Sequence, residues 1–339
     1  MYWTTIFDSF VPKGYCDTLK VASIDIGTNT ILLLIANVEG GKIHPLYEIE
    51  TVARLGEGLQ KNEILLPEAM DRGIQTLAQY LKRSQEMGVQ KIFAAGTSAL
   101  REAKNSEDFL KLAKGKLHLS IEVISGEEEA QLSFLAVAKD LQEKEKPILV
   151  VDIGGGSTEF ILGKGDQIGQ WISLPLGSVR LTEEFLHSDP VQEEEWEKME
   201  RKIGRLLVKV PHSQETASMV AVGGTATTLA SVEQGLEDFI AEKIHHFVLG
   251  REALKNQLLL YRSKTIEERK KIPGLPAPRA DVILAGGAIL YLAMEELKCP
   301  AALISCHGVR YGLLYKKLNL QPPFPCSQRG EGKREGGTL

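Results

Sequence analysis

The chain contains two copies of one pattern, VASIDIGTNT at residues 21–30 and LVVDIGGGST at residues 149–158. In each copy an apolar run carries a single aspartate, Asp25 or Asp152, and ends in a turn of glycine, hydroxyl and amide residues. Apolar residues resume after each turn, which is typical of a β-hairpin. The copies lie 127 positions apart (152 − 25), so the sequence predicts an internal duplication.

A second pair of segments repeats at almost the same spacing. FAAGTSAL at residues 93–100 and AVGGTATT at residues 221–228 each run from an apolar strand through small residues into a helix start, and Gly96 and Gly224 are 128 positions apart. Two unrelated elements with one offset indicate a duplicated α/β unit. The sequence therefore predicts a first domain over residues 20–131 and a second over 132–318. Residues 1–19 form an N-terminal extension and residues 319–339 a disordered tail rich in Pro, Gly and charge.

Helical patterns occur in both halves. One-sided apolar stripes predict helices over residues 68–86 and 193–208. The charged run KDLQEKEK at residues 139–146 predicts a solvated connector before Pro147.

Composition excludes several classes of protein. The 339 residues carry 40 Lys and Arg against 45 Asp and Glu, a net charge of −5, which argues against a nucleic-acid coat and a basic membrane-surface protein. The apolar stretch at residues 31–36 is far shorter than the roughly 20 residues of a membrane-spanning helix. Four cysteines without a Cys-x-x-Cys pair exclude a zinc ribbon and a disulfide framework. We expect a cytoplasmic enzyme with reduced thiols, and neither nucleic acid nor a membrane as partner.

The glycine turns suit a phosphate ligand. Glycines let backbone N–H groups approach an anion closely, and nearby hydroxyls add donors. An aspartate beside such a turn can hold Mg²⁺, which prefers oxygen ligands. Two turns facing each other would grip a phosphate chain from both sides, whereas the alternative is a pair of tight turns without a ligand. A third candidate phosphate site is the segment Gly223-Gly224-Thr225, because a helix that begins there offers free backbone N–H groups. The candidate phosphate-binding residues are Gly27, Thr28, Asn29, Thr30, Gly154, Gly155, Gly156, Ser157, Thr158, Gly223, Gly224 and Thr225.

Three acidic residues follow one another in the segment SGEEEA at residues 125–130. Ser125 and Glu128 fit a capping box, so a helix begins here. Acidic residues in a first helical turn also complement the helix dipole, which accounts for Glu127 and Glu128 without any function. Glu129 is not part of the capping box, so the box does not account for it. In the second hairpin, Asp152 and Glu159 flank the glycine turn, so both carboxylates can point at one ion or water, unless Glu159 is only an exposed strand residue.

These motifs together resemble one family. In order along the chain they read SIDIGTNT (23–30), AGTSALR (95–101), ISGEEEA (124–130), VDIGGGSTE (151–159), LPLGSVRL (174–181), VGGT (222–225), PGLPAPRAD (273–281) and SCHGVR (305–310). The set is similar to the exopolyphosphatase/guanosine pentaphosphate phosphatase family, within the superfamily of actin-like ATPases, sugar kinases and heat-shock chaperones. The resemblance covers nearly the whole of residues 21–318.

The resemblance implies a fold, a reaction and residue roles. The fold is α/β, with duplicated actin-like (ribonuclease H-like) domains, mixed sheets flanked by helices, and an active site in the cleft between the domains. The reaction is hydrolytic release of terminal orthophosphate from inorganic polyphosphate or guanosine pentaphosphate, by a possible homodimer. Glu129 is the implied general base, with Asp152 and Glu159 as further catalytic acids. Asp25, Asp152 and Glu159 hold Mg²⁺ or another divalent cation, and Arg101 binds phosphate.

Two rival functions stay open at this point. A kinase or ATPase of the same superfamily uses the same phosphate-binding turns, and a non-catalytic sensor of alarmone or polyphosphate needs only the binding residues. The chain also departs from the family, with Ile31-Leu-Leu33 where many members have an Arg.

Four further arginines are weaker candidates for phosphate binding, and two histidine segments are assigned no metal. Arg54, Arg180, Arg279 and Arg310 are expected to be solvated or to form interdomain ion pairs. His245-His246 and Cys306-His307 lack a spaced second ligand pair, so the sequence predicts no metal site there.

Overall fold

The computed structural model describes residues 18–141, 145–212 and 217–320. The expected disordered tail beyond residue 320, and the expected N-terminal extension apart from its last two residues, lie outside these ranges. The described residues form two β-sheets flanked by helices. No helix within these ranges is long and apolar enough to cross a membrane.

The first sheet has five strands, and helices lie between its later strands in the chain. Its strands are β1 (Leu19–Ile26), β2 (Thr30–Glu39), β3 (Lys42–Val52), β4 (Lys91–Gly96) and β5 (Glu122–Val123), and they lie in the order β3-β2-β1-β4-β5. The accompanying helices are α1 (Leu59–Asn62), α2 (Pro67–Glu86), α3 (Ser98–Glu102), α4 (Ser106–Leu117) and α5 (Gly126–Asp140).

The second sheet has the same core with one extra strand. Its strands are β6 (Pro147–Ile153), β7 (Thr158–Lys164), β8 (Gln167–Leu174), β9 (Ser218–Val222), β10 (Val248–Gly250) and β11 (Ala301–Ile304), in the order β8-β7-β6-β9-β11-β10. The helices are α6 (Ser178–Phe185), α7 (Glu193–Leu207), α8 (Gly224–Glu233), α9 (Ala241–Ile244), α10 (Arg251–Arg262), α11 (Ile266–Arg269), α12 (Ile283–Glu296) and α13 (Val309–Lys317).

Strand pairing confirms the predicted duplication. β1 pairs antiparallel with β2 and parallel with β4, and β6 pairs in the same two ways with β7 and β9. The central strands β1 and β6 are almost wholly buried, as their continuous apolar runs require. The predicted helices at 68–86 and 193–208 are confirmed as α2 and α7 within one residue at each end.

Helices α5 and α13 connect the two sheets. Phe134 and Val137 of α5 pack on β6, β7 and β9 of the second sheet, whereas Ala136 joins Tyr311 and Leu314 of α13 in a cluster with the first sheet. The two helices approach closely because Gly312 lies against the Leu132 carbonyl, where an added Cβ would be 2.0 Å away. The first turn of α5 is thereby fixed beside both central strands.

The expected solvated connector at residues 139–146 is wrong at its beginning. Helix α5 continues through Lys139 and Asp140. Their side chains are only 12% and 15% exposed, and both are in ion pairs. Residues 142–144 lie outside the described ranges.

Candidate active site

The two glycine turns have the same backbone geometry. Gly27 N–H donates to the Thr30 carbonyl at 2.9 Å, and Gly154 N–H donates to the Ser157 carbonyl at 3.0 Å. A Cβ at either glycine would lie 3.0 Å from that carbonyl oxygen, so each turn is tight enough to favour glycine. The predicted pair of equivalent turns is therefore present.

The turns contact each other directly. A Cβ placed on Gly155 would lie 3.0 Å from Cβ of Thr28 and 3.1 Å from the Asn29 nitrogen. A Cβ on Gly156 would lie 2.4 Å from Oγ of Ser98, at the start of α3. Glycine is needed here for close approach of two segments that are far apart in the sequence.

Asp152 and Glu159 occupy opposite positions on paired strands, as the hairpin predicted. They are register partners in the β6–β7 ladder. Ser133 of α5 donates a hydrogen bond to Oδ2 of Asp152. Glu159 is 1% exposed, and its Oε1 accepts hydrogen bonds from Ser157 (2.9 Å) and Ser173 (2.7 Å). Burial raises the pKa of both carboxyl groups, and for Glu159 the charges of Glu129 and Asp152 raise it further.

Glu129 lies in the first turn of α5, and the predicted capping box between Ser125 and Glu128 forms at the start of that helix. The Glu129 side chain is 10% exposed, and its Oε2 accepts a hydrogen bond from Arg101 at 3.0 Å. Burial raises the pKa of Glu129 to about 7; the Asp152 charge adds to the rise, and Arg101 opposes it. A carboxyl group with a pKa near neutrality is suited to accept a proton at neutral pH.

Asp25 is the least compensated of the four acids. Its Oδ1 is buried and has no hydrogen-bond partner within the described ranges. Burial first, and then the charges of Glu129 and Asp152, hold the pKa of Asp25 well above its usual value. Unpaired carboxylate oxygen among further carboxylates is the donor set that a hard divalent cation prefers. The residues present therefore fit Mg²⁺ or a similar ion.

A cavity of about 1060 Å³ opens between the two sheets. Its wall includes Asp25 of β1, Asp152 of β6, and Gly223 and Gly224 at the start of α8. The remaining predicted site residues lie off this wall. Thr225, for example, is buried against Gly286, where an added Cβ would lie 2.7 Å from its side chain. Of the proposed catalytic and metal-binding acids, Asp25 and Asp152 line the cavity, whereas Glu129 and Glu159 do not.

The four weaker arginine candidates are all in ion pairs, as expected. The pairs are Arg54 with Asp281 (2.7 Å), Arg180 with Glu102 (2.6 Å), Arg279 with Glu50, and Arg310 with Glu48. All four join a residue on or shortly after β3, or in α3, to a residue of the second half. Arg310 lies on α13, which packs on the first sheet. These pairs hold the walls of the cleft together.

Sequence reasoning missed four of these contacts. Ser133 lies four positions after Glu129, so both are on one face of α5, a spacing that was available as a signal. Ser173 reaches Glu159 through the β7–β8 register. Glu48 and Glu50 reach their arginines across more than 200 positions of the chain. No local pattern indicates such pairs.

Comparison with known proteins identifies the family. The model of the Ppx/GppA phosphatase family matches residues 34–321. The chain belongs to the Ppx/GppA phosphatase family. It is 35% identical over 293 residues to a bifunctional 3-dehydroquinate synthase/phosphatase of Fusobacterium nucleatum. That match covers 81% of this chain and 43% of the relative, so the chain spans less than half of that protein's length.

Solved structures confirm the predicted fold class. The Ppx/GppA family member from Aquifex aeolicus is 36% identical, with a TM-score of 0.76 over 89% of this chain and 98% of the other. An exopolyphosphatase from Cytophaga hutchinsonii is 28% identical, with a TM-score of 0.80 over 88% of this chain and 98% of the other. The Ppx/GppA chain thus has the duplicated actin-like α/β fold, with two mixed sheets flanked by helices.

Proposed function

We propose that this Ppx/GppA protein releases terminal orthophosphate from inorganic polyphosphate, guanosine pentaphosphate or both. The observation that carries the proposal is the convergence of Glu129, Asp25, Asp152 and Glu159 beside two equivalent glycine turns. The turns alone are compatible with a kinase or a sensor. A buried glutamate with a pKa of about 7, held by Arg101, favours a hydrolase that activates water.

In the proposed reaction, water attacks the terminal phosphorus and the bond to the bridging oxygen breaks. Glu129 accepts the proton of the attacking water, orthophosphate leaves, and the remaining chain is one phosphate shorter. Backbone N–H groups of the turns at 27–30 and 154–158 and of the 223–225 segment bind and orient the phosphate oxygens. Arg101 holds Glu129 in place, and its planar guanidinium is suited to bind the terminal phosphate as well.

Asp25, Asp152 and Glu159 are the residues that would hold the divalent cation. When bound, Mg²⁺ neutralises negative charge on the phosphate oxygens. Ser133, Ser157 and Ser173 orient two of these carboxylates through the hydrogen bonds described above. Such outer partners fix the direction in which each ligand oxygen points.

A side-by-side assay of phosphate release tests the proposal. The full chain is incubated in Mg²⁺ with short polyphosphate, long polyphosphate, guanosine pentaphosphate and ATP, with EDTA as the control. We expect orthophosphate from at least one of the first three, and its loss in EDTA. Transfer of phosphate from ATP to a sugar or acid would establish a kinase instead. Tight binding without release at any Mg²⁺ concentration would establish a sensor.

The proposal includes two expectations that come from the sequence alone. One is a cytoplasmic location, and the other is a homodimer, which the family resemblance implies. Sedimentation of the purified chain tests the second, since a monomer at micromolar concentration would contradict it.

A further inference from the structure

Three segments far apart in the sequence bring imidazole and carboxylate groups together away from the four acids above. Asp140 is the last residue of α5, His245 and His246 follow α9, and His307 lies between β11 and α13. Oδ2 of Asp140 is 3.1 Å from Nε2 of His245 and 2.7 Å from Nε2 of His246, and Oδ1 of Asp140 is 3.5 Å from Nδ1 of His307. We name Asp140, His245 and His307 the Asp–His cluster.

His307 is the member of the Asp–His cluster with an unused ligand atom. Its Nδ1 is buried and has no hydrogen-bond partner in the described part of the chain. The ring is held in place by stacking on Tyr311, with 3.8 Å between ring centroids. Burial lowers the pKa of His307 to about 4, so the ring is neutral at physiological pH and keeps a free lone pair.

The spacing within the cluster matches a tetrahedral zinc site. With Zn–N and Zn–O bonds of about 2.0–2.1 Å, neighbouring ligand atoms of a tetrahedral ion lie about 3.3 Å apart. Oδ2 of Asp140 lies 3.1 Å from Nε2 of His245 and Oδ1 lies 3.5 Å from Nδ1 of His307, so each carboxylate oxygen lies near that distance from one imidazole. One suitable atom from each of the three residues lies within 4.8 Å of the others. Two imidazoles with one carboxylate are a common zinc ligand set, with water at the fourth position.

We propose that the Asp–His cluster is a binding site for one divalent transition-metal ion, and that this ion is Zn²⁺. Asp140, His245 and His307 supply three ligand atoms. Nitrogen ligands favour Zn²⁺ over Mg²⁺, which takes oxygen ligands, so this site and the carboxylates beside the glycine turns select different ions.

Binding of a metal ion must change the hydrogen bonds around His245. Cys306 N–H donates to Nδ1 of His245 at 3.1 Å, so Nδ1 is an acceptor and the proton on Nε2 faces Asp140. A metal at Nε2 takes the place of that proton, the ring proton moves to Nδ1, and the Cys306 amide turns away. The hydrogen bonds of His245 with Asp140 and with the Cys306 amide are thus exchanged for a metal–nitrogen bond. The positive charge of Arg310, near Tyr311, is paired with Glu48 and does not face the ion unopposed.

The Asp–His cluster is separate from the proposed hydrolytic site. Glu129 and Asp140 lie at opposite ends of α5, 11 residues apart, which is about 16 Å along a helix axis. Neither Asp140 nor the three histidines line the large cavity. No local pattern indicates this site, because the carboxylate that completes it is more than 100 positions before His245.

Cobalt spectroscopy tests the proposal. The full-length protein is titrated with Co²⁺ in millimolar Mg²⁺, which fills the carboxylate site, and visible absorption is recorded before displacement by Zn²⁺. A four-coordinate site with nitrogen ligands gives intense d–d bands, whereas a six-coordinate oxygen site gives weak ones. We expect intense bands that saturate at one equivalent and disappear on addition of Zn²⁺.

Variants assign the signal to the cluster. His307→Gln and His245→Gln should each weaken Co²⁺ binding by about 100-fold or more, since losing even an outer-shell partner costs roughly 10–100-fold. His187→Gln, on the loop after α6 and outside the cluster, is the matched control and should change binding less than about twofold. Circular dichroism confirms that each variant is folded. Weak bands in the unaltered protein, or full binding by both cluster variants, would overturn the proposal; the first result needs no variant to fold.

Discussion

The two glycine turns share one backbone geometry but differ in the acids beside them. In the first half, the register partner of Asp25 is Leu32, whereas in the second half the partner of Asp152 is Glu159. Asp152 and Glu159 also accept hydrogen bonds from Ser133, Ser157 and Ser173, while Oδ1 of Asp25 has no partner in the described ranges. The second turn therefore has a pair of carboxylates held by hydrogen bonds, and the first has a single buried carboxylate whose Oδ1 is unpaired in the described ranges.

The two halves therefore share a backbone arrangement but differ in the acidic residues beside their turns. Both halves offer N–H groups to a phosphate chain. We infer that the second half orients the metal ligands, whereas Asp25 depends on the cation itself for compensation.

Among the variants that compare the two halves, the largest effect should come from the position at which the halves differ. Glu159→Gln removes a proposed metal ligand but keeps its size and hydrogen-bonding ability, and we expect phosphate release to fall by about 100-fold or more. Leu32→Gln places glutamine at the equivalent position in the first half. It should lower kcat for phosphate release by less than about fivefold. Similar losses in both variants, measured as kcat, would contradict the inequality.

A smaller effect with a distinctive pH signature should follow from Arg101→Met. The Arg101 charge lowers the pKa of Glu129 against the effect of burial, so its removal raises that pKa further. Because the base must be deprotonated, the acidic limb of the rate profile should move to higher pH, with kcat reduced by about tenfold at pH 7. Lys104→Met, which removes the exposed partner of Glu63, is the control. An unmoved limb would show that Arg101 does not act through Glu129.

The smallest effect should be on stability without metal. Because the pKa of Asp25 is raised in the folded state, its contribution to folding becomes more unfavourable as pH rises above the ordinary aspartate value of 3.8 toward the raised value. In EDTA, Asp25→Asn should therefore raise Tm by about 3 °C at pH 7 and by less at pH 5. Asp152→Asn should give a smaller rise, because Ser133 already stabilises the Asp152 charge. An equal rise in Tm in both variants would contradict the inference that the Asp152 charge is better stabilised than the Asp25 charge.

Local patterns in the sequence predicted much of this arrangement. The hairpins, α2, α7, the capping box and the opposition of Asp152 to Glu159 depend on residues within about 20 positions of each other. Contacts between distant segments were not predictable in this way. The approach of Gly155 to Thr28 and the pairing of Arg279 with Glu50 arise only when the halves are packed together. Asp140 was assigned to a solvated connector because its charged neighbours conceal its burial against three histidines.

The most direct measurement is phosphate release by Glu129→Gln beside its neighbour variant Glu128→Gln. Glu128 lies in the same helical turn, but it serves the capping box and pairs with Lys316. We expect Glu129→Gln to reduce kcat by about 1000-fold with substrate binding nearly unchanged, and Glu128→Gln to reduce it less than about threefold. Release by Glu129→Gln at a rate near that of the unaltered protein would contradict its role as the base.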